Sequence, residues 1–234
     1  MSILERRMLM TPKLPYGYTR VQYIESTGAQ YIRTEKIITY QDGFEVEFFD
    51  FRNTVWESSY ILGAYYISYI NSFYIGTQRG WNNSSLICYM CKDSYDSPNM
   101  TLVGDLDKSY IPDRFFCRYF FDAETEKGYF SYKKNGAAGE ITEVPNKWTS
   151  FNRVVLFACN DSGTIIINDA KSKITHYAHF DANGVCDQLF VPAIRNSDSK
   201  PGFYDLAGSI CPLTGTPFYI NSGTGADLIA GPPV

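Results

Sequence analysis

A chain of 234 residues, 44% of them hydrophobic, is long enough for one large β domain and too apolar for wholesale disorder. Its formal net charge of −4 offers no basic footprint for nucleic acid, and no apolar run reaches the ~18 residues needed to insert in a membrane as a helix. The six cysteines, at positions 88, 91, 117, 159, 186 and 211, include one CxxC pair without the second pair that a zinc ribbon needs, so reduced and mostly buried thiols are expected.

Residues 1–13 read as an N-terminal arm and not as a domain. Ile3, Leu4, Met8 and Leu9 supply apolar contacts, and Arg6 and Arg7 supply charges for carboxylates on another chain. The opening MSILERRMLM has basic residues with no apolar core after them, so no secretory signal is expected. The stretch from Leu14 to Ile32 follows period-two order and predicts two short strands around a turn at Ser26-Thr27-Gly28. Within it Tyr18, Arg20, Gln22 and Ile24 should share one face, and Thr19, Val21, Tyr23 and Glu25 the other. Gly43 to Phe51 is the clearest single strand. Phe44, Val46 and Phe48 should point inward, while Glu45, Glu47, Phe49 and Phe51 share a face that is wet near its start.

Residues 56–95 hold ten aromatics, and strands are predicted near 59–63, 65–70, 72–77 and 85–90. A polar loop from Gly80 to Ser85 carries Trp81. Residues 93–113 look irregular. Phe115 to Phe121 is apolar on both alternations and suits a central strand covered on both sides. Tyr129 to Lys133 predicts a strand closed by a two-residue hairpin at Asn135-Gly136. Phe151–Cys159 and Thr164–Ile167 predict another hairpin, and strands should follow at Lys173–Phe180 and Gln188–Ile194. Strands every eight to twelve residues, with turn signals between them and no long helical pattern, predict one all-β antiparallel sandwich.

Two motifs point to a family. The run LPYGYTRVQYIESTGAQYI resembles the opening LPxGYTxxxYIESTGTQYIDTG of bacteriophage and prophage tail-associated proteins. Gly202-Phe203-Tyr204-Asp205, then Pro217 to Gly225 and Ala230-Gly231-Pro232, are similar to that group's closing GxYD…GxFYxNxGTGxFxAGP. The chain departs from the pattern at Arg33-Thr34-Glu35, at Ala193 where the family often has cysteine, and in the extra residues from Ala207 to Pro212. The resemblance covers residues 14–234 and implies a concanavalin A-like (laminin G-like) sandwich of jelly-roll type. It also implies a virion appendage of the tail or head-fibre kind, made in the bacterial host cytoplasm and associated with other virion proteins as a homo-oligomer.

Concanavalin A-like sandwiches include glycoside hydrolases with paired carboxylates on one strand. Glu45 and Glu47 sit at i and i+2, but E-x-E-x-x-D is not the laminarinase-type E-x-D-x-E, and a non-enzymatic protein is expected. His176 and His179, three apart on a strand, should point to opposite faces and hold no metal. Asp42, Asp93, Asp96, Asp105 and Asp107 are acidic but match no calcium-loop template, so no metal or cofactor is implied. The candidate ligand site is a stacking surface of Trp81 and Asn82 backed by Tyr65 or Tyr66, suited to a pyranose on the host surface. The alternative is a purely structural adaptor or capsid decoration subunit whose aromatics serve protein contacts.

Overall fold

The computed structural model describes residues 13–53, 59–66, 70–79, 84–91, 100–103, 110–144, 148–150, 152–161, 163–166, 170–223 and 226–234. Among them are twenty strands and no helix. In chain order they are β1 (Tyr18–Arg20), β2 (Ile24–Thr27), β3 (Ile32–Arg33), β4 (Gly43–Asn53), β5 (Ser59–Tyr66), β6 (Ile70–Arg79) and β7 (Ser84–Cys91). There follow β8 (Met100–Val103), β9 (Tyr110–Ile111), β10 (Phe115–Asp122), β11 (Lys127–Lys134), β12 (Ala137–Val144), β13 (Val155–Leu156) and β14 (Cys159–Asp161). The last six are β15 (Thr164–Ile166), β16 (Ala170–Phe180), β17 (Cys186–Arg195), β18 (Lys200–Asp205), β19 (Phe218–Tyr219) and β20 (Ile229–Ala230).

They form two sheets. The larger has the order β12-β11-β10-β4-β16-β17-β18-β19, with β1, β2, β9 and β20 paired beside it. The smaller runs β15-β14-β5-β6-β7-β8, with β13 and β3 alongside. Their inner faces pack into one core. Phe44 of the large sheet meets Phe73 of the small one at 4.5 Å between ring centroids, and Trp148 stacks on Phe73 at 5.6 Å. The predicted inward set Phe44, Val46 and Phe48 is fully buried. Rings packed in this way give the core a large share of its apolar burial, and tilted or offset pairs add a modest specific term.

The large sheet forks. β16 pairs with β17 through Tyr177–Phe180 but with β2 through Lys171–Ile174. β17 in turn pairs with β1 through Ala193–Arg195. The N-terminal stretch fills this fork, with a jog at Val21-Gln22-Tyr23 between its two strands. The jog breaks the alternation, so Val21 and Ile24 are both buried although strict period-two order assigns them to opposite faces. The C-terminal motif closes the fork. β20 pairs with β2, the Gln22 amide donates to the Pro232 carbonyl (2.9 Å), and the Ser222 amide donates to the Tyr31 carbonyl (2.8 Å). Tyr23 covers Gly231 and Tyr31 covers Gly223, where an added Cβ would come within 2.8 Å and 3.0 Å of the rings. The two terminal motifs are therefore one structural unit.

Several predicted features are corrected. The strand at 43–51 contains a bulge: Asp50 takes φ +54, and the register with β16 passes from Phe49↔Lys173 to Arg52↔Lys171. One extra residue re-aims everything beyond it, so Phe51 enters the core instead of the wet face. Glu45, also placed on that wet face, is only 2% exposed because Arg118 and His176 cover it. No break separates 63 from 65: β5 runs from Ser59 to Tyr66 through Gly63, where a side chain would meet Tyr74 Cβ at 2.7 Å, while Ile70 opens β6 and 67–69 lie outside the described residues. The strand expected at 151–159 breaks at Phe157, whose φ is +64; β13 runs antiparallel to β5 and β14 parallel to it. The stretch 93–113 contains β8 and β9. The Asn135-Gly136 hairpin forms as predicted, with φ of 50° and 83° at its two turn residues.

Candidate functional site

β10 carries a further correction, and it exposes the site. Phe115, Cys117 and Tyr119 are buried in the core as a central strand requires, but Phe116, Arg118 and Phe120 face away from the small sheet, the two rings half-buried and Arg118 exposed. Each lies beside an outward residue of a neighbouring strand. Phe116 is in register with Glu47 of β4 and Lys133 of β11, and Arg118 with Glu45. Phe120 stacks on Tyr129 of β11 at 5.5 Å. The result is a ribbon of aromatic and charged side chains across the outer face of the large sheet.

Towards the fork the ribbon continues without a gap. The Arg114 guanidinium carbon lies 4.6 Å from the centroid of Phe49 and an Arg114 nitrogen lies 3.3 Å from Glu47 Oε2. Phe49 meets Tyr23 edge-on at 5.5 Å, and Lys173 Nζ sits 5.0 Å from the Tyr23 ring. Lys173 also donates to Asp50. Desolvation would raise the Asp50 carboxyl, but hydrogen bonds from Lys173 and Tyr110 and the charges of Lys173 and Arg52 outweigh it and hold it below the usual carboxylate range. Desolvation likewise works against charge on Lys173, and its bond to Asp50 with the charges of Glu25 and Asp50 raises it on balance.

At the centre, Glu45 Oε1 is 3.4 Å from Arg118 Nε and its other oxygen 3.4 Å from His176 Nε2. Glu47 also accepts the Thr175 hydroxyl. His176 stacks on Phe116 at 6.4 Å. His179 lies on the other, core-directed face of β16, in register with Phe44, with Nδ1 2.5 Å from Asp187 Oδ1. Lys36 Nζ takes the second Asp187 oxygen, also at 2.5 Å. Asp42 accepts the Thr39 amide, and Asp205 accepts the amides of Leu189, Ala207 and Ser209. These acidic residues thus hold turns and loops together. Among the described residues no group of His, Cys, Asp or Glu is arranged to hold a metal ion.

Of the predicted site residues, Trp81 and Asn82 lie outside the described residues, as do Ile3, Leu4, Arg6, Arg7, Met8 and Leu9 of the arm and Asp93, Asp96, Asp105 and Asp107. Tyr65 and Tyr66 are the last two residues of β5, and their side chains lie outside the described part. Tyr60, Tyr74 and Tyr89 of the same aromatic-rich segment are buried in a cluster of their own, with Tyr74 and Tyr89 stacked at 5.0 Å. The ribbon residues Phe116, Phe120, Tyr129, Arg114 and Arg118 were not singled out from sequence. One signal was present: Arg118 in the middle of an apolar strand marks the alternation that cannot be core. Cys88, Cys117, Cys159, Cys186 and Cys211 are free, and all but Cys186 are buried; burial pushes the Cys88 and Cys117 thiols well up and Cys186 to about 11, so none of these three is poised as a nucleophile. No protein-family model matches the chain, and no curated protein matches it.

Proposed function

We propose that this chain is a non-enzymatic carbohydrate-binding module of a phage virion appendage, built on a concanavalin A-like sandwich, with the outer face of its large sheet as the binding surface. The observation that carries the reading is the ribbon itself. Half-exposed Phe116, Phe120 and Tyr129 offer flat apolar faces for pyranose rings, and guanidinium, imidazole and hydroxyl groups stand between them as hydroxyl partners. The resemblance of the terminal motifs to phage tail-associated proteins supports the virion setting. Hydrolysis is disfavoured by geometry. Glu45 is buried beneath Arg118, out of reach of a glycosidic oxygen, and the Glu47 Oε2 is engaged by Arg114 and Thr175. A retaining or inverting mechanism needs two carboxyls flanking an open bond.

A second reading, a structural adaptor or decoration subunit, draws on apolar side chains left in solvent: Ile141 (68% exposed), Val185, Ile210 and Leu213. A glycan-array and host-cell adsorption comparison of the wild type with Phe116→Ala/Phe120→Ala separates the two. Glycan binding predicts loss of most of the signal with the thermal transition retained, since each stacked ring contributes on the order of 1 kcal/mol. A blank array for the wild type, with the chain recovered only in assemblies with itself or other virion proteins, would establish the structural reading instead.

A further inference from the structure

We infer that the glycan held by this ribbon is a polyanion, a polysaccharide bearing carboxylate, sulfate or phosphate groups; the inference rests on the proposed carbohydrate-binding function. Its basis is how the ribbon's charges are layered. The carboxylates lie low against the sheet and the guanidinium groups lie above them. Side-chain exposure is 3% for Glu45 and 27% for Glu47, against 46% for Arg118 and 47% for Arg114. A ligand approaching the face therefore meets positive donors first, although the formal balance of these four groups is zero.

Lys133 breaks that balance. It projects from β11 directly across from Phe116, is exposed, and has no carboxylate partner among the described residues. Arg114, immediately before β10, and Arg118 within it are four residues apart, about 13 Å along an extended chain, and Phe116 lies midway between them. The Phe116 ring is thus a stacking platform with cations on three sides, and His176 packs against it as well. A sugar ring seated there would hold its acidic substituents within reach of groups suited to them. Guanidinium binds oxyanions through paired N–H donors, and an unpaired ammonium adds a point charge. Each guanidinium retains free donors while one edge contacts its glutamate. Around Phe116 three cations stand against two carboxylates on a chain whose formal net charge is −4, so attraction to a polyanion is local to this part of the ribbon.

The test uses the full chain and two matched pairs of polymers, polygalacturonate beside its methyl ester and dextran sulfate beside dextran, with affinity read by calorimetry at two salt concentrations. The expected result is at least tenfold tighter binding to one acidic member than to its neutral counterpart. Its affinity should fall roughly tenfold when salt is raised fourfold, the behaviour of two or three released counterions. Lys133→Gln, which removes no internal pair, should weaken the acidic polymer several-fold and leave the thermal transition in place. The preferred pair separates a carboxylate ligand from a sulfate-like one. Equal affinity for charged and neutral members, or binding insensitive to salt, overturns the charge inference while leaving carbohydrate binding intact. Binding to none of the four polymers overturns the inference, and a wild-type chain that is also blank on the glycan array removes the carbohydrate reading with it. Tighter binding to a single-stranded oligonucleotide than to either acidic polymer would assign the face to another class of ligand.

Discussion

Gly202 stands in the GFYD stretch of the C-terminal motif, and its replacement by alanine is the sharpest test of how that motif holds the sheet together. A Cβ at this position would lie 2.1 Å from the Tyr219 carbonyl oxygen and 3.1 Å from Phe218 Cζ. The first contact falls about 1.3 Å short of ordinary van der Waals distance, and its partner is backbone, which cannot rotate aside. β19 would have to retreat, yet it is held to β18 by only two residue pairs. Retreat would also disturb Tyr219, which is buried, packs on Phe190 at 4.6 Å and places its hydroxyl 2.8 Å from Ser209. Overpacking of about 1–3 kcal/mol together with a weakened hydrogen bond of about 1 kcal/mol gives a loss of about 2–4 kcal/mol. For a chain of this size that lowers the thermal midpoint by about 5–12 °C. The assay is urea unfolding at neutral pH beside Gly136→Ala, a control whose φ is +83 but whose Cβ would meet nothing within 4 Å. The control should lose only about 1 kcal/mol, the strain of a left-handed residue. A Gly202→Ala protein no less stable than the control would refute the close-approach argument.

The Asp50 bulge makes a second prediction: Phe51→Ala should destabilise by about 3–5 kcal/mol, and Phe49→Ala by clearly less, because only Phe51 is fully in the core. Equal losses in denaturant unfolding would mean that the strand keeps simple alternation. Glu45→Gln should lower stability by about 1–2 kcal/mol, since it weakens a buried, charge-assisted contact whose partner can still reach water, and Glu47→Gln by less than about 1 kcal/mol; a silent Glu45→Gln would show that carboxylate to be solvated after all. The Asp50–Lys173 pair sets a pH window. Asp50 is depressed in the folded state, so its contribution is present above its unfolded value near pH 4 and fades as pH falls through the folded one. Lys173 is raised, so its contribution is present below about pH 10.4 and fades as pH rises further. Urea midpoints of the wild type and Asp50→Asn should differ most between pH 5 and 9 and draw together as the pH falls below about 4; a difference that does not shrink in acid would refute the linkage.

What the sequence by itself determined is local. Period-two order marks Phe44, Val46 and Phe48 as a core face, because side chains on a strand alternate and burial selects one side. Asn135-Gly136 marks a hairpin, because both residues accept positive φ. The two terminal motifs are legible as patterns, and Gly202, Gly223 and Gly231 of the closing one prove to be places where Tyr219, Tyr31 and Tyr23 come too close for a side chain. The tertiary structure decided what depends on register and on the next strand over. A bulge at Asp50 is a difference in count between paired strands, and no single strand records it. Phe116 and Phe120 look like core in a run apolar on both alternations; Arg118 between them marks the open alternation, and the pairing of β10 between β4 and β11 supplies the neighbours that turn it into a ribbon. Glu45 and Glu47 read as a solvated stripe until cross-strand partners place Arg118 over the one and Arg114 beside the other. The ribbon joins Tyr23, just before β2, with Phe49 of β4 and with Phe116 and Tyr129 of the β10–β11 hairpin, three stretches that are far apart in the chain. Side-chain order along a strand follows from the covalent backbone, whereas order across strands is set by hydrogen-bond register, which the fold alone supplies.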